Sequence, residues 1–97
     1  MRAMREKELM QAILDAARLL GYRCYHTFDS RRSTPGFPDV VCLKDDRCVV
    51  YETKTERGKP TPAQLDWLAA FNAAGIPAKI VRPSDLDDVL EELQEAP

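Results

Sequence analysis

The 97-residue chain predicts an α/β fold, a mixed sheet of short strands flanked by helices. Three observations carry this expectation. Apolar residues recur at helical spacing in the first twenty positions. Two short apolar runs then flank the charged turn Lys44-Asp45-Asp46-Arg47. After them come a well-capped helical segment, one more β-rich run and a last helix. The length supports one domain with a single core.

Arg5 to Leu20 reads as an amphipathic helix, with Leu9, Ile13, Ala16 and Leu20 in one stripe and Met10 and Ala17 beside it. Gly21 ends it as a C-cap. "YRCYHTF" (22–28) is aromatic and β-rich, so a strand. "DSRRSTPGFP" (29–38) is a loop by its Ser, Pro and Gly content. Strands follow at 39–44 and 48–54. "TPAQLDWLAAFNAAG" is a helix with Thr61 as N-cap, Pro62 at the first helical position, Gln64 completing a capping box and Gly75 as C-cap. Leu65, Leu68 and Ala69 are expected to face inward, with Phe71 or Asn72 continuing the turn. "PAKIVRP" (77–83) is a strand, and "SDLDDVLEEL" a final helix N-capped by Ser84. The order is helix, three strands, helix, strand, helix.

Apolar content of 44% and charged content of 31% describe an ordinary soluble globular chain. No apolar run approaches the length of a membrane span, and the charged start "MRAMREKELMQ" lacks a signal peptide's apolar region. A cytoplasmic location is therefore expected. Cys24, Cys42 and Cys48 fit no zinc spacing and are expected to be buried, reduced thiols in strands. Net charge is −2, but residues 84–97 carry six acids and no Lys or Arg. The remainder carries 14 basic against 10 acidic groups, a net of +4, which permits nucleic-acid binding without demanding it.

The charged residues of the central hairpin need explaining. If its strands pair symmetrically about Asp45-Asp46, Leu43 faces Cys48, Val41 faces Val50 and Asp39 faces Glu52. Residues directly opposite share a face, with Cβ atoms roughly 5 Å apart. Lys54 lies two residues past Glu52, on that same face. Two opposed carboxylates repel unless a cation lies between them. Hard divalent ions take one or two carboxylates and complete their shell with water and substrate phosphate. An adjacent ammonium suits charge developing on phosphate. Asp39, Glu52 and Lys54 thus suit metal-assisted hydrolysis of a phosphodiester. The structural alternative is a strand end with solvated charges and a Lys–Glu pair.

Taken together, Pro38-Asp39 and Glu52-Thr53-Lys54 resemble the motif of the PD-(D/E)XK nuclease superfamily. The element order resembles its restriction-endonuclease-like core. More narrowly, "SRRSTPGFPDVV", "YETKTERGKPTPAQLDWL" and "VRPSDLDDVLEEL" are similar to the virus-type replication-repair nuclease (VRR-NUC) domain, small stand-alone versions of which occur in phages and bacteria. The resemblance runs from Glu8 to about Leu93. It implies that Asp39 and Glu52 bind Mg²⁺ or Mn²⁺, with the Thr53 carbonyl as a further ligand. It implies that Lys54 positions the attacking water and stabilises the transition state, and that hydrolysis leaves a 5′-phosphate and a 3′-hydroxyl. Gln64 matches the family's helix glutamine near the site, though its capping role explains it equally well. Glu8 matches the family's N-terminal acid, which the resemblance implies can join the metal shell; its distance to Gly21 makes it preferred over Glu6, which projects nearer the centre of the helical stripe.

Arg31 and Arg32, with Ser33 beside them, sit in the loop before the motif, where an Arg pair can grip phosphates. Lys59 and Arg57 are weaker candidates of the same kind. His26, the single histidine, is expected to be a hydrogen-bonded structural group that can also line the cleft. Trp67 is expected in the core or at an interface. The function these readings imply is a metal-dependent DNA endonuclease, structure-selective on branched DNA, acting as a homodimer in replication, repair or recombination. The alternative is a catalytically silent DNA-binding or interaction module working with a helicase or another replication partner.

Overall fold

A computed structural model describes residues 4–28, 32 and 34–95. Its elements are α1 (Glu6–Leu19), β1 (Arg23–His26), β2 (Val40–Lys44), β3 (Arg47–Thr53), α2 (Pro62–Ala73), β4 (Ala78–Val81), a 3₁₀ turn (Pro83–Asp85) and α3 (Leu86–Gln94). The sheet order is β1-β2-β3-β4. The first three strands are antiparallel, and α2 carries the chain over to β4, parallel to β3. This is the mixed sheet flanked by helices that the element order predicts.

The main core lies between the sheet and α1 with α3. Leu9, Ile13, Leu14 and Ala17 of α1 meet Val40, Cys42, Val49, Tyr51 and Val81 of the sheet and Val89 and Leu93 of α3. Full burial of each aliphatic side chain contributes about 1.5–3 kcal/mol. The buried stripe of α1 includes Leu14, while Ala16 and Leu20 are half-buried. Packing of α3 against α1 turns the inner face that way. Tyr51 Oη donates to Glu92 Oε1 (2.6 Å), Lys79 Nζ donates to Glu92 Oε2 (2.9 Å), and Tyr22 Oη donates to the Leu93 carbonyl (2.9 Å). Burial works against ionisation of Glu92, but the bonds from Tyr51 and Lys79 outweigh it and hold its carboxyl below the usual range.

Three expectations need correction. First, Leu65 is half-exposed and Ala69 exposed, and Leu68 alone of α2 is buried. The helix turns its Ala63, Trp67 and Phe71 row toward the loop before β2. There Phe37 meets Trp67 and Phe71 edge-on, and Trp67 Nε1 donates to the Pro35 carbonyl at 3.2 Å. Leu65 and Ala69 point roughly the opposite way at 100° per residue. Gly36 makes this approach possible: its φ is +84°, and a Cβ there would lie 2.5 Å from the Ala63 backbone. Second, Ser84 does not cap α3. It sits in the 3₁₀ turn, where its N–H and hydroxyl donate to Glu56 (2.6 and 3.0 Å). Third, only Cys42 is fully buried; Cys24 and Cys48 are half-buried, and all three are free thiols.

Candidate active site

The β2–β3 hairpin turns on Asp45 and Asp46, with Asp45 in the left-handed region at φ +54°. Asp and Asn tolerate that conformation better than most side chains, which suits a two-residue turn. The register pairs Leu43 with Cys48, Val41 with Val50 and Val40 with Tyr51. Continued one step outward, it sets Asp39 against Glu52, as the sequence pairing expects.

Asp39 lies just outside β2, where the chain enters the strand. Its Oδ2 accepts from the Thr53 N–H (3.0 Å) and the Thr53 hydroxyl (2.7 Å). Its own carbonyl accepts from Thr27 N (2.8 Å), and the Thr27 hydroxyl donates to the Pro38 carbonyl (2.9 Å). The carboxylate is thus fixed by one neighbouring strand and its backbone by the other.

Glu52 is only 3% exposed, inside the sheet. Its Oε1 is buried without a hydrogen-bond partner among the described residues. Its Oε2 lies 3.9 Å from Lys54 Nζ, a loose ion pair. Burial and then the Asp39 carboxylate beside it push the Glu52 carboxyl up to about 8; Lys54 acts in the opposite sense, and Glu6 adds to the rise. Around neutral pH, Glu52 therefore holds a proton unless a cation takes its place.

A cavity of about 220 Å³ opens in front of Asp39 and Thr53, walled by Glu6 and Met10 of α1 and by Thr27 and Phe28 after β1. Glu52 is not among the residues lining this cavity; its buried, unpartnered Oε1 beside the Asp39 carboxylate makes a pair of hard oxygen donors that suits a divalent cation. No cluster of three His, Cys, Asp or Glu side chains forms a closed cage among the described residues. An ion such as Mg²⁺ needs only one or two carboxylates from the protein.

The other sequence candidates are placed as follows. Glu8 Oε1 accepts from Arg5 N (3.0 Å) and Nε (3.3 Å) at the start of α1, and it lines a neighbouring cavity with Arg5, Lys7 and Gln11. Glu6 is the α1 acid that borders the Asp39 cavity. Gln64 Oε1 accepts from Thr61 N (2.9 Å) and its N–H binds the Thr61 hydroxyl (3.2 Å), closing the expected capping box. His26 lines a cavity along α1, and its Nδ1 is buried without a partner among the described residues, contrary to the expected hydrogen-bonded group. Arg32, Arg57 and Lys59 are exposed. Arg31 and Ser33 lie outside the described residues.

Two features escape sequence reading. The Thr53 side chain clamps Asp39, whereas only its carbonyl is singled out by the motif. Arg82 Nη1 donates to the carbonyls of Thr55 (2.6 Å), Glu56 (3.1 Å) and Gly58 (2.8 Å). It thereby straps down the loop after Lys54. Gly58 in that loop lies against the Lys54 stem, with 3.7 Å from its Cβ position to Lys54 Cδ. The signal for Arg82 would have been a lone Arg at the exit of an apolar strand, which by itself says nothing about its partners.

Sequence comparison finds no matching family model and no matching curated protein. Structural comparison is informative. A solved structure described as "VRR_NUC domain" superposes with a TM-score of 0.74 at 25% identity, covering 92% of this chain and 97% of that one. The chain is thus similar to VRR-NUC domains over nearly its whole length. A second structure, "VRR_NUC domain protein", superposes with a TM-score of 0.73 at 16% identity, covering 96% of this chain and 88% of that one, and bears on the fold alone. With its three helices and four-stranded mixed sheet, that likeness gives the chain a restriction-endonuclease-like fold. No helix among the described residues is long and apolar enough to cross a membrane.

Proposed function

We propose that this chain is a divalent-metal-dependent DNA endonuclease of the VRR-NUC type that hydrolyses phosphodiester bonds. The observation that carries the reading is Glu52 Oε1: a buried carboxylate oxygen without a partner, beside a second carboxylate, at the sheet position of the PD-(D/E)XK acid. Asp39 and Glu52 would hold Mg²⁺ or Mn²⁺, with the Thr53 carbonyl as a further ligand. When bound, the ion supplies charge stabilisation to the phosphate oxygens and makes a water more acidic. Thr53 keeps one Asp39 oxygen occupied and fixes the direction of the other. Lys54, 3.9 Å from Glu52 Oε2, orients the attacking water and offsets negative charge growing on the phosphate. A water oxygen–phosphorus bond forms, the bond to the 3′ oxygen breaks, and that oxygen leaves with a proton. The products carry a 5′-phosphate and a 3′-hydroxyl.

The preferred substrate in this proposal is branched DNA, met by a homodimer in replication, repair or recombination, with a helicase or another replication protein as partner. The longest dimension of one domain, 38 Å, matches about one turn of duplex, ~34 Å. A two-fold pair would address two arms at once with two sites.

The test offers linear, flapped and four-way DNA to the purified protein with Mg²⁺ or Mn²⁺, alongside Asp39→Ala and Lys54→Ala. Metal-dependent cleavage that both substitutions abolish is the expected result. Cleavage that survives both would sink the mechanism. Binding without cleavage on every substrate would favour the silent module instead. Light scattering at assay concentration reads the dimer.

A further inference from the structure

We propose that Phe28 is a stacking platform for one unpaired base of a nucleic-acid strand whose backbone passes the Asp39–Glu52 site. This deepens the nuclease reading and rests on it for the identity of the strand. Phe28 is 93% exposed, the most exposed of the large apolar side chains described. Core packing does not explain it: it follows β1 and stands at the rim of the sheet. It borders two cavities at once. One is the 220 Å³ cavity shared with Asp39 and Thr53. The other, about 480 Å³, runs along α1 between Lys7, Gln11 and His26. That volume lies within the ~300–1,000 Å³ typical of pockets for small organic molecules.

The chemistry of this second cavity suits a nucleotide. Phe28 offers a free aromatic face, and base–aromatic stacking is tolerant of sequence because every base has a π-face. His26, its ring centroid 6.3 Å from that of Phe28, brings a buried Nδ1 with no partner among the described residues. The imidazole ring itself lines the wall of this cavity beside Phe28. Lys7 lines both of these cavities and the one beside them, so one ammonium serves the whole run as a phosphate contact. Glu8, the acid of that third cavity, is engaged by Arg5. A base stacked in a duplex cannot reach Phe28 without leaving its stack. The substrate class is therefore a strand with at least one unpaired nucleotide next to the scissile phosphate: a flap, an overhang or a single strand.

The probe is a DNA oligonucleotide with 2-aminopurine in a 5′ or 3′ overhang, and a blunt duplex with the same label as its control. Fluorescence and affinity are read without divalent ions, so that nothing is cut, for the wild type and for Phe28→Ala, Phe28→Leu and Phe28→Trp. The proposal expects quenching of the overhang label by wild type and Phe28→Trp. It expects loss of quenching and about tenfold or more weaker overhang binding with Ala and Leu. Leu keeps apolar bulk, so it separates stacking from mere hydrophobic contact. Quenching by Phe28→Ala equal to wild type, or binding by wild type without any quenching, overturns it. Repeating with Mg²⁺ separates the two readings. Cleavage without quenching sinks the stacking role and leaves the nuclease standing, whereas quenching without cleavage sinks the nuclease alone.

Discussion

Replacing Glu52 by Gln should stabilise the metal-free protein while abolishing cleavage. The folded carboxyl is pushed up to about 8 from an ordinary 4.5, first by burial and then by Asp39. The unfolded chain gives up this proton near 4.5, and the folded chain keeps it until about 8. The folded state therefore binds the extra proton between those values. Stability from this group is fully present below 4.5 and is lost as pH rises through 8. At pH 7 the gap of ~2.5 units corresponds to about 3 kcal/mol, at 1.36 kcal/mol per unit. Glutamine removes that burden, because its amide carries no charge and does not titrate. For a domain of this length, 1 kcal/mol moves Tm by roughly 4–8 °C, so a rise on the order of 10 °C is expected at pH 7. Melting curves in EDTA at pH 5, 7 and 8.5 should show the gap between variant and wild type widening with pH. Adding Mg²⁺ should raise the wild-type Tm and leave Glu52→Gln nearly unmoved, because only the wild type offers both carboxylates. A gap that stays flat with pH, or a variant less stable than wild type throughout, would refute the account of Glu52.

Other predictions concern the scaffold around the site. Arg82→Ala should cost about 2–3 kcal/mol and speed amide exchange selectively after Lys54, since one guanidinium nitrogen serves the carbonyls of Thr55, Glu56 and Gly58. Gly36→Ala should lower Tm by on the order of 10 °C, because a Cβ there would meet the Ala63 backbone at 2.5 Å. Tyr51→Phe should cost about 1–2 kcal/mol in chemical denaturation, and NMR titration should find the Glu92 carboxyl raised once its 2.6 Å donor is gone. Lys54→Ala should lose about 10²-fold or more in cleavage rate while its Tm under metal-free conditions stays near that of wild type.

The parts of this fold legible in sequence are those set by local chemistry. Thr61, Pro62 and Gln64 specify the start of α2 through groups three residues apart, and the capping box forms as written. Asp45-Asp46 between two apolar runs fixes the hairpin register, and from it the pairing of Asp39 with Glu52. What sequence could not supply depended on distant packing. Leu65 looked inward by period, yet Trp67 took that face beside Phe71 because Phe37, more than twenty residues away, offers both an aromatic partner. Ser84 looked like a cap, yet Glu56 takes both its donors across the strand end. Glu6 borders the Asp39 cavity while Glu8 meets Arg5, a division set by about half a turn of helix phase that a terminal segment does not fix. The helical period had placed Glu6 nearer the centre of the stripe.

The two carboxylates are held in opposite ways, and that asymmetry follows from the sheet. Asp39 sits outside β2, where the ladder has ended, so Thr53 can turn both its N–H and its hydroxyl onto one oxygen. Glu52 sits within β3 with its backbone committed to β4, where Thr53 pairs with Val81 and Glu52 with Ile80. Its side chain is left against Asp39 with Lys54 at 3.9 Å as a distant counter-charge. One acid is thus satisfied and positioned, while the other is buried and short of a partner. A domain of this size has only about 5–15 kcal/mol of net stability, so a burden of about 3 kcal/mol at one side chain is a large share. It is tolerated because the main core, between α1, α3 and the opposite pleat of the sheet, does not include Glu52. Val49 and Tyr51, at alternate positions of β3, anchor the strand in the core, and the same strand carries the unsatisfied acid toward its end. A cation arriving there would relieve the strand of a cost that Lys54, at 3.9 Å, offsets only in part.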